Sequence, residues 1–183
     1  AQACAPLATD RLIYADLVTH AMGTGNGELV ARLAAMGPPP YRNVFDYATI
    51  MSHYGLIEGA YTPPAGYLRR GAASGVGPYG VLGSEYAPVE KINVLRGLLD
   101  SFAVLYPQLQ DIDLRRDATR LQVPVYILAG DHELRGRTQP AREWFDALDA
   151  PSKRWYDIAN AGHSVAFAHA DELLRILLED VQP

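Results

Sequence analysis

The last third of the chain alternates short apolar segments with amphipathic ones, and this alternation most constrains the fold. Residues 123–129 are almost wholly apolar, which is typical of a strand buried on both faces of a sheet. A helix is predicted over residues 139–148, beginning near Pro140, followed by a strand at 154–158 and a helix at 171–181. This order predicts two parallel strands joined by a crossover helix.

Two parallel strands do not make a stable sheet by themselves. Parallel strands are normally part of larger sheets that are covered on both faces. An isolated pair would leave an edge unpaired and an apolar face open to water. We therefore expect residues outside this sequence to supply most of the sheet. The chain begins at Ala1 rather than at a methionine, which suggests processing or truncation.

The preceding region, residues 6–120, is predicted to be mostly helical. Thr9 and Asp10 are expected to cap its first helix, because short polar side chains favour that position. Three further helices are predicted at residues 28–36, 43–54 and 89–105, and Pro107 is expected to end the last of them. Their buried faces are expected to include Phe45, Met51, Ile92 and Leu99.

Composition excludes several classes of function. The net charge is -5 and the lysines and arginines are scattered, which argues against a nucleic-acid partner. The single cysteine, Cys4, excludes an intrachain disulfide and a cysteine-based metal cluster. No apolar run approaches the roughly 18 residues that span a bilayer. Without a visible signal peptide, a cytoplasmic location is expected, and neither a cofactor nor a metal is predicted.

Two chemistry-bearing residues follow the two predicted strands. Glu133 comes shortly after the first strand and His163 after the second. Catalytic groups of open parallel sheets lie in loops at the carboxyl ends of the strands, so these loops are expected to meet. A carboxylate beside an imidazole fixes its tautomer and stabilises its protonated form. Gly162 is expected to let the backbone turn sharply before His163.

Other interpretations of these residues remain open. Asp131 directly follows the strand and competes with Glu133, which we favour because it reaches further into the loop. In the non-catalytic alternative, Glu133 is a solvated acid in a loop and His163 is a loop histidine. His132, between two acids, is expected to be a surface or packing residue. A metal site formed by Asp131, His132, Glu133 and His163 is a weaker alternative, because these residues lack the spacing of known metal sites.

A nucleophile is not evident in these 183 residues. The Gly-x-Ser-x-Gly turn that exposes a catalytic serine after a buried strand is absent. Ser74 lies in a glycine-rich stretch, but no apolar strand precedes it, and a flexible loop is the better interpretation. Cys4 lies in an Ala/Pro-rich terminus without an electropositive setting, which argues against a catalytic thiol.

Four segments carry a resemblance to a known family. They are Val123-Pro-Val-Tyr-Ile-Leu-Ala-Gly130 leading to Glu133, Ala161-Gly162-His163-Ser164, Thr9-Asp10-Arg11 through Tyr14, and Asn93-Val-Leu-Arg-Gly97. From Asp10 to His163 the chain resembles the carboxy-terminal part of an α/β-hydrolase, close to the proline iminopeptidase-like peptidases. The resemblance implies an α/β fold whose sheet is incomplete in this chain. Residues 6–120 would form an inserted helical cap and 121–183 the last two strand–helix units.

The resemblance implies Ser–acid–His hydrolysis, with Glu133 as the acid and His163 as the base. The family more often has Asp at the acid position. The nucleophile elbow, the oxyanion loop and the first strands belong upstream of Ala1, in the same chain or a partner chain. The function implied is that of a serine hydrolase fragment or subunit, an aminopeptidase or an esterase, acting on small peptides or esters.

In this family the cap selects the substrate, so the loop at residues 61–86 is expected to line the pocket. Cap acids meet the free amino group in aminopeptidases of this type, and Asp46, Glu58 and Glu85 are candidates, although each also fits a surface charge. Two alternatives stay open. The chain is otherwise a non-catalytic binding or regulatory module derived from a hydrolase, or part of an epoxide or haloalkane hydrolase with an upstream Asp nucleophile.

Overall fold

The computed structural model describes residues 4–59, 61–69, 84 and 86–181. Its regular elements are α1 (Pro6–Gly23), α2 (Gly27–Met36), α3 (Val44–Met51), α4 (Ala65–Arg69), α5 (Pro88–Leu109), α6 (Leu114–Asp117), β1 (Val125–Gly130), α7 (Arg135–Ala147), β2 (Lys153–Ile158), α8 (Val165–Ala168) and α9 (Ala170–Ile176). A 3₁₀ turn, Tyr54–Leu56, follows α3, and a π turn, Leu177–Val181, extends α9. Ser74 and Glu85 lie outside the described residues.

Helix α1 begins one turn earlier than predicted. Pro6 occupies its first turn, where a missing N–H costs nothing. Thr9 and Asp10 are therefore not caps but lie inside the helix, and both are buried. Farther along, α1 contributes Ile13 and Leu17 to the main apolar core, which also receives side chains from α2, α3, α5 and the loop before α7.

The predicted buried faces of α3 and α5 are partly wrong. Phe45 is 71% and Ile92 61% exposed, and Met51 and Leu99 are also exposed, whereas Ile50 is buried. Asn43 caps α3 by accepting hydrogen bonds from two backbone N–H groups, and the helix so placed turns Ile50 toward the core. Helix α5 continues through Pro107 to Leu109, and Tyr106 in its last turns belongs to the core.

Strands β1 and β2 pair in parallel, in the register Val125↔Lys153 to Gly130↔Ile158, with α7 as the crossover. This confirms the predicted strand order. Helix α7, however, begins at Arg135 rather than near Pro140, which lies inside it. This earlier start brings the first turn of α7 next to the end of β1.

Within the described residues the sheet has two strands. Residues 125–128 are only half buried although all four are apolar or aromatic. Other large apolar side chains nearby in the chain are exposed: Val123, Phe167, Leu174 and Leu178. The described residues thus leave apolar surface of the strand–helix units uncovered. None of the described helices combines the length and apolarity that crossing a membrane requires.

Candidate active site

The loops that follow β1 and β2 lie against each other at the carboxyl edge of the sheet. The backbone N–H of Asp131 donates to the carbonyl of Ile158 at 3.1 Å, and that of His132 donates to Ala161 at 2.9 Å. Residue Gly130 has no room for a side chain here, since a Cβ would lie 2.1 Å from the Ala161 oxygen. The two loops are therefore joined through their backbones, as parallel strand ends allow.

Glu133 and His163 meet between these loops. Nδ1 of His163 lies 2.5 Å from Oε2 of Glu133. The Glu133 side chain is only 9% exposed, whereas that of His163 is 47% exposed. A carboxylate on Nδ1 fixes the orientation and tautomer of the imidazole and leaves Nε2 as the nitrogen for proton transfer.

The carboxylate of Glu133 is held on its other oxygen as well. Oε1 accepts hydrogen bonds from the backbone N–H of Leu134 at 2.9 Å and from Nη1 of Arg137 at 3.0 Å. Burial raises the pKa of Glu133, but the hydrogen bond with His163 and the positive charge of Arg137 outweigh it, and the net pKa is lowered. Glu133 is therefore ionised at neutral pH despite its burial.

Asp131 has a different position. Its carboxylate accepts hydrogen bonds from the backbone N–H groups of Asn160 and Ala161, at 3.1 and 3.2 Å. Desolvation opposes ionisation, but these backbone donors lower the pKa of Asp131 overall. Asn160 has a φ of 55°, a left-handed conformation that asparagine tolerates well. Asp131 thus holds the second loop in shape, while Glu133 contacts the histidine.

Two tyrosines of the helical region lie near this site, Tyr61 against the strand-end loops and Tyr54 against α7. The Tyr61 ring stacks on His132, with ring centroids 5.3 Å apart. A Cβ at Gly162 would lie 3.0 Å from Cε1 of Tyr61, so a side chain there would require the tyrosine ring to shift by a few tenths of an ångström, and the φ of Gly162 is not positive. The Tyr54 ring lies 4.8 Å from the guanidinium carbon of Arg137. Residues 6–120 therefore contribute side chains beside Glu133 and His163.

Arg137 is the residue that sequence reasoning missed. A charged residue placed in a loop suggests a solvated side chain, yet Arg137 is 4% exposed. The sequence signal for its ion pair was the four-residue spacing between Glu133 and Arg137. These two side chains face each other because α7 begins at Arg135.

The other candidate residues have local partners. Asp46 accepts a hydrogen bond from the Asn43 side chain at the start of α3, and Glu58 is half buried after the 3₁₀ turn. His132 packs against Tyr61, which agrees with a packing role. No group of three His, Cys, Asp or Glu side chains suited to a metal ion occurs among the described residues.

Comparison with known proteins gives one partial similarity. The chain is 27% identical over 82 residues to a protein of Bacillus subtilis (strain 168) named "Probable aminopeptidase YbaC". The match covers 45% of this chain and 26% of that protein, so it spans about a quarter of the relative's length. No family model and no solved structure matches the chain. The similarity supports a peptidase or hydrolase at this coarse level.

Proposed function

We propose that this chain forms the acid–base part of a serine hydrolase of α/β-hydrolase fold, either an aminopeptidase or an esterase of small substrates. The observation that carries the proposal is the 2.5 Å contact between His163 Nδ1 and Glu133 Oε2, made by loops at the carboxyl ends of two parallel strands. This is the relationship that an acid and a base have in a Ser–His–acid triad.

In the proposed mechanism, Nε2 of His163 accepts the proton of a serine hydroxyl as it attacks the substrate carbonyl carbon. The imidazolium then gives this proton to the leaving amine or alkoxide. Ionised Glu133 stabilises the imidazolium through Nδ1–H and keeps Nε2 directed at the reaction. Water then attacks the carbonyl carbon of the acyl-enzyme and gives its proton to Nε2 of His163, which returns it to the serine oxygen as the acid product leaves.

The serine is proposed to come from outside these 183 residues. The half-buried strand β1 and the exposed Leu174 and Leu178 support this, because further strands of a larger sheet would cover such apolar surface. A segment that adds these strands also brings a nucleophile elbow and oxyanion-binding backbone N–H groups to the same edge. Residues 6–120 are proposed as the cap, since Tyr54 and Tyr61 lie beside the acid–base loops.

The test uses the native protein, isolated with every segment or subunit that accompanies this chain. Hydrolysis of aminoacyl p-nitroanilides and p-nitrophenyl esters is measured for the native protein and for His163→Ala. His20→Ala, in the last turn of α1, is the control. We expect His163→Ala to lower kcat by at least about 10³-fold and His20→Ala to leave it unchanged.

The preferred substrate distinguishes the two enzymes, because an aminopeptidase needs a free amino group and an esterase does not. Turnover that His163→Ala does not reduce would overturn the proposal. Absence of turnover by a native protein that contains no Gly-x-Ser-x-Gly would favour the non-catalytic module.

A further inference from the structure

We infer that Arg137 is a positioning residue: it holds the Glu133 carboxylate so that Oε2 faces His163. Arg137 is in turn held by Tyr54. The inference deepens the proposed function and rests on it for its kinetic consequence. Its geometric content, that Arg137 sets the Glu133–His163 hydrogen bond, can be tested without any catalysis.

The two oxygens of the Glu133 carboxylate have different partners. Oε1 is occupied by the Leu134 N–H at 2.9 Å and by Arg137 Nη1 at 3.0 Å, whereas Oε2 lies 2.5 Å from His163. Two donors on one oxygen oppose rotation of the carboxylate, because rotation would break charge-assisted hydrogen bonds in a buried setting.

The length of the acid side chain also matters. Glutamate has one more rotatable bond than aspartate, so its carboxylate loses more conformational freedom when it is fixed. A buried arginine one helical turn further on supplies the restraint that the longer side chain needs.

Arg137 is itself held in place. The guanidinium carbon lies 4.8 Å from the Tyr54 ring centroid, and the whole residue is 4% exposed. Such a cation–π contact is stronger where water is excluded. Because Tyr54 belongs to the 3₁₀ turn of the helical region, the orientation of Glu133 depends on the placement of that region.

Charged and titratable groups that act on Arg137 come from several elements, among them Tyr47 on α3. Glu133 faces it from the loop after β1, Asp10 acts on it from α1, and Tyr54 covers it from the 3₁₀ turn. Burial, the largest influence, raises the pKa of Asp10 to about 6, while the Tyr106 hydrogen bond and Arg137 oppose it. Glu133 is the carboxylate with which Arg137 makes direct contact.

The test compares Arg137→Met and Arg137→Lys with Arg142→Met in the native protein. Arg142 lies on the same helix but its side chain is 44% exposed, stacks on Trp155 at 3.9 Å and contacts Asp157 at 3.2 Å, so it is a matched control. The first readout is the downfield ¹H NMR resonance of the His163 Nδ1 proton. We expect Arg137→Met to abolish or shift it, Arg137→Lys to shift it less, and Arg142→Met to leave it unchanged.

The second readout is kinetic. Arg137→Met should lower kcat about 10²-fold with KM unchanged, but have little further effect in a Glu133→Gln background, because groups that act as a unit are not additive. Equal losses in both backgrounds, or an unchanged resonance in Arg137→Met, would overturn the inference. If Arg137→Met does not fold, Arg137→Lys is put through the same cycle.

The two failures are distinguishable. A native protein that shows the resonance and its dependence on Arg137, but hydrolyses nothing, supports the positioning inference and contradicts the proposed function. A native protein that hydrolyses substrate through His163, but whose resonance does not depend on Arg137, supports the proposed function and contradicts the positioning inference.

Discussion

The backbone of Gly130 lies against the carbonyl group of Ala161, so closely that a Cβ at position 130 would be 2.1 Å from the carbonyl oxygen. That oxygen also accepts a hydrogen bond from the N–H of His132 at 2.9 Å. The close approach of the two strand-end loops, and hence the contact between Glu133 and His163, depends on a residue without a side chain at position 130.

Gly130→Ala is therefore expected to separate the loops. The added methyl group meets backbone rather than a flexible side chain, and overpacking of this kind costs about 1–3 kcal/mol of unfolding free energy or more. Gly97→Ala on α5 is the control, since nothing lies within 4 Å of its Cβ and alanine favours helix by about 0.5–1 kcal/mol. Urea unfolding of the native protein and of the two variants gives the change in the free energy of unfolding for each substitution. Equal stability of the two variants would show that the loops are not packed in this way.

Glu133→Gln is expected to reduce turnover far more than Asp131→Asn. Glutamine removes the charge that stabilises the imidazolium, and the loss of a triad acid of this kind lowers kcat about 10⁴-fold. Asp131 bonds the backbone of Asn160 and Ala161 instead, and we expect less than about a tenfold loss from its replacement. Steady-state kinetics of both variants decides between the two acids. The opposite order would assign the acid role to Asp131.

Asp10→Asn is expected to stabilise the protein at pH 8 but not at pH 4. Burial raises the pKa of Asp10 from 3.8 to about 6. Between these values the folded state keeps a proton that the unfolded state has lost, so the stability falls as the pH rises through this interval. Asparagine removes this loss, which a pKa change of this size makes about 3 kcal/mol at pH 8. Thermal unfolding of the native protein and of Asp10→Asn at both pH values measures this gain. Asp100→Asn, at an exposed position, is the control. A gain that is the same at both pH values would contradict this sign.

Cys4 is expected to be unreactive in the folded protein. Burial raises the pKa of its thiol to about 11, and its Sγ lies 3.4 Å from the carbonyl oxygen of Pro140. At pH 8 the thiolate is therefore scarce and shielded. Iodoacetamide labelling, followed by mass spectrometry of the peptide that contains Cys4, should show modification only after unfolding in urea. Rapid labelling of the native protein would mean that this end of the chain does not pack on α7.

The two strands, their parallel order and the meeting of their loops could be predicted from the sequence. The apolar run of β1 and the glycine that ends it are local features, and parallel strands bring their carboxyl ends together whatever surrounds them. The prediction that Glu133 and His163 lie in those two loops rests on the same local features. Their catalytic roles remain predictions.

The environment of Arg137 could not be predicted in the same way. Its burial depends on where α7 begins, and the pattern around Pro140 predicted that start too late in the chain. Its burial also depends on Tyr54, which is distant in sequence. Asp10 illustrates the same limit. A short polar residue near a helix start suggests a cap, but its hydrogen bond from Tyr106, 96 residues away, exists only after the helices pack.

The central claim is that His163 activates a serine that lies outside these 183 residues, and labelling with a fluorophosphonate ester tests it most directly. The reagent is applied to the native protein and to His163→Ala, and the modified serine is located by mass spectrometry of the peptides. We predict stoichiometric labelling of a single serine outside residues 1–183, and its loss in His163→Ala. Labelling of a serine within residues 1–183, or equal labelling of both proteins, would contradict the claim.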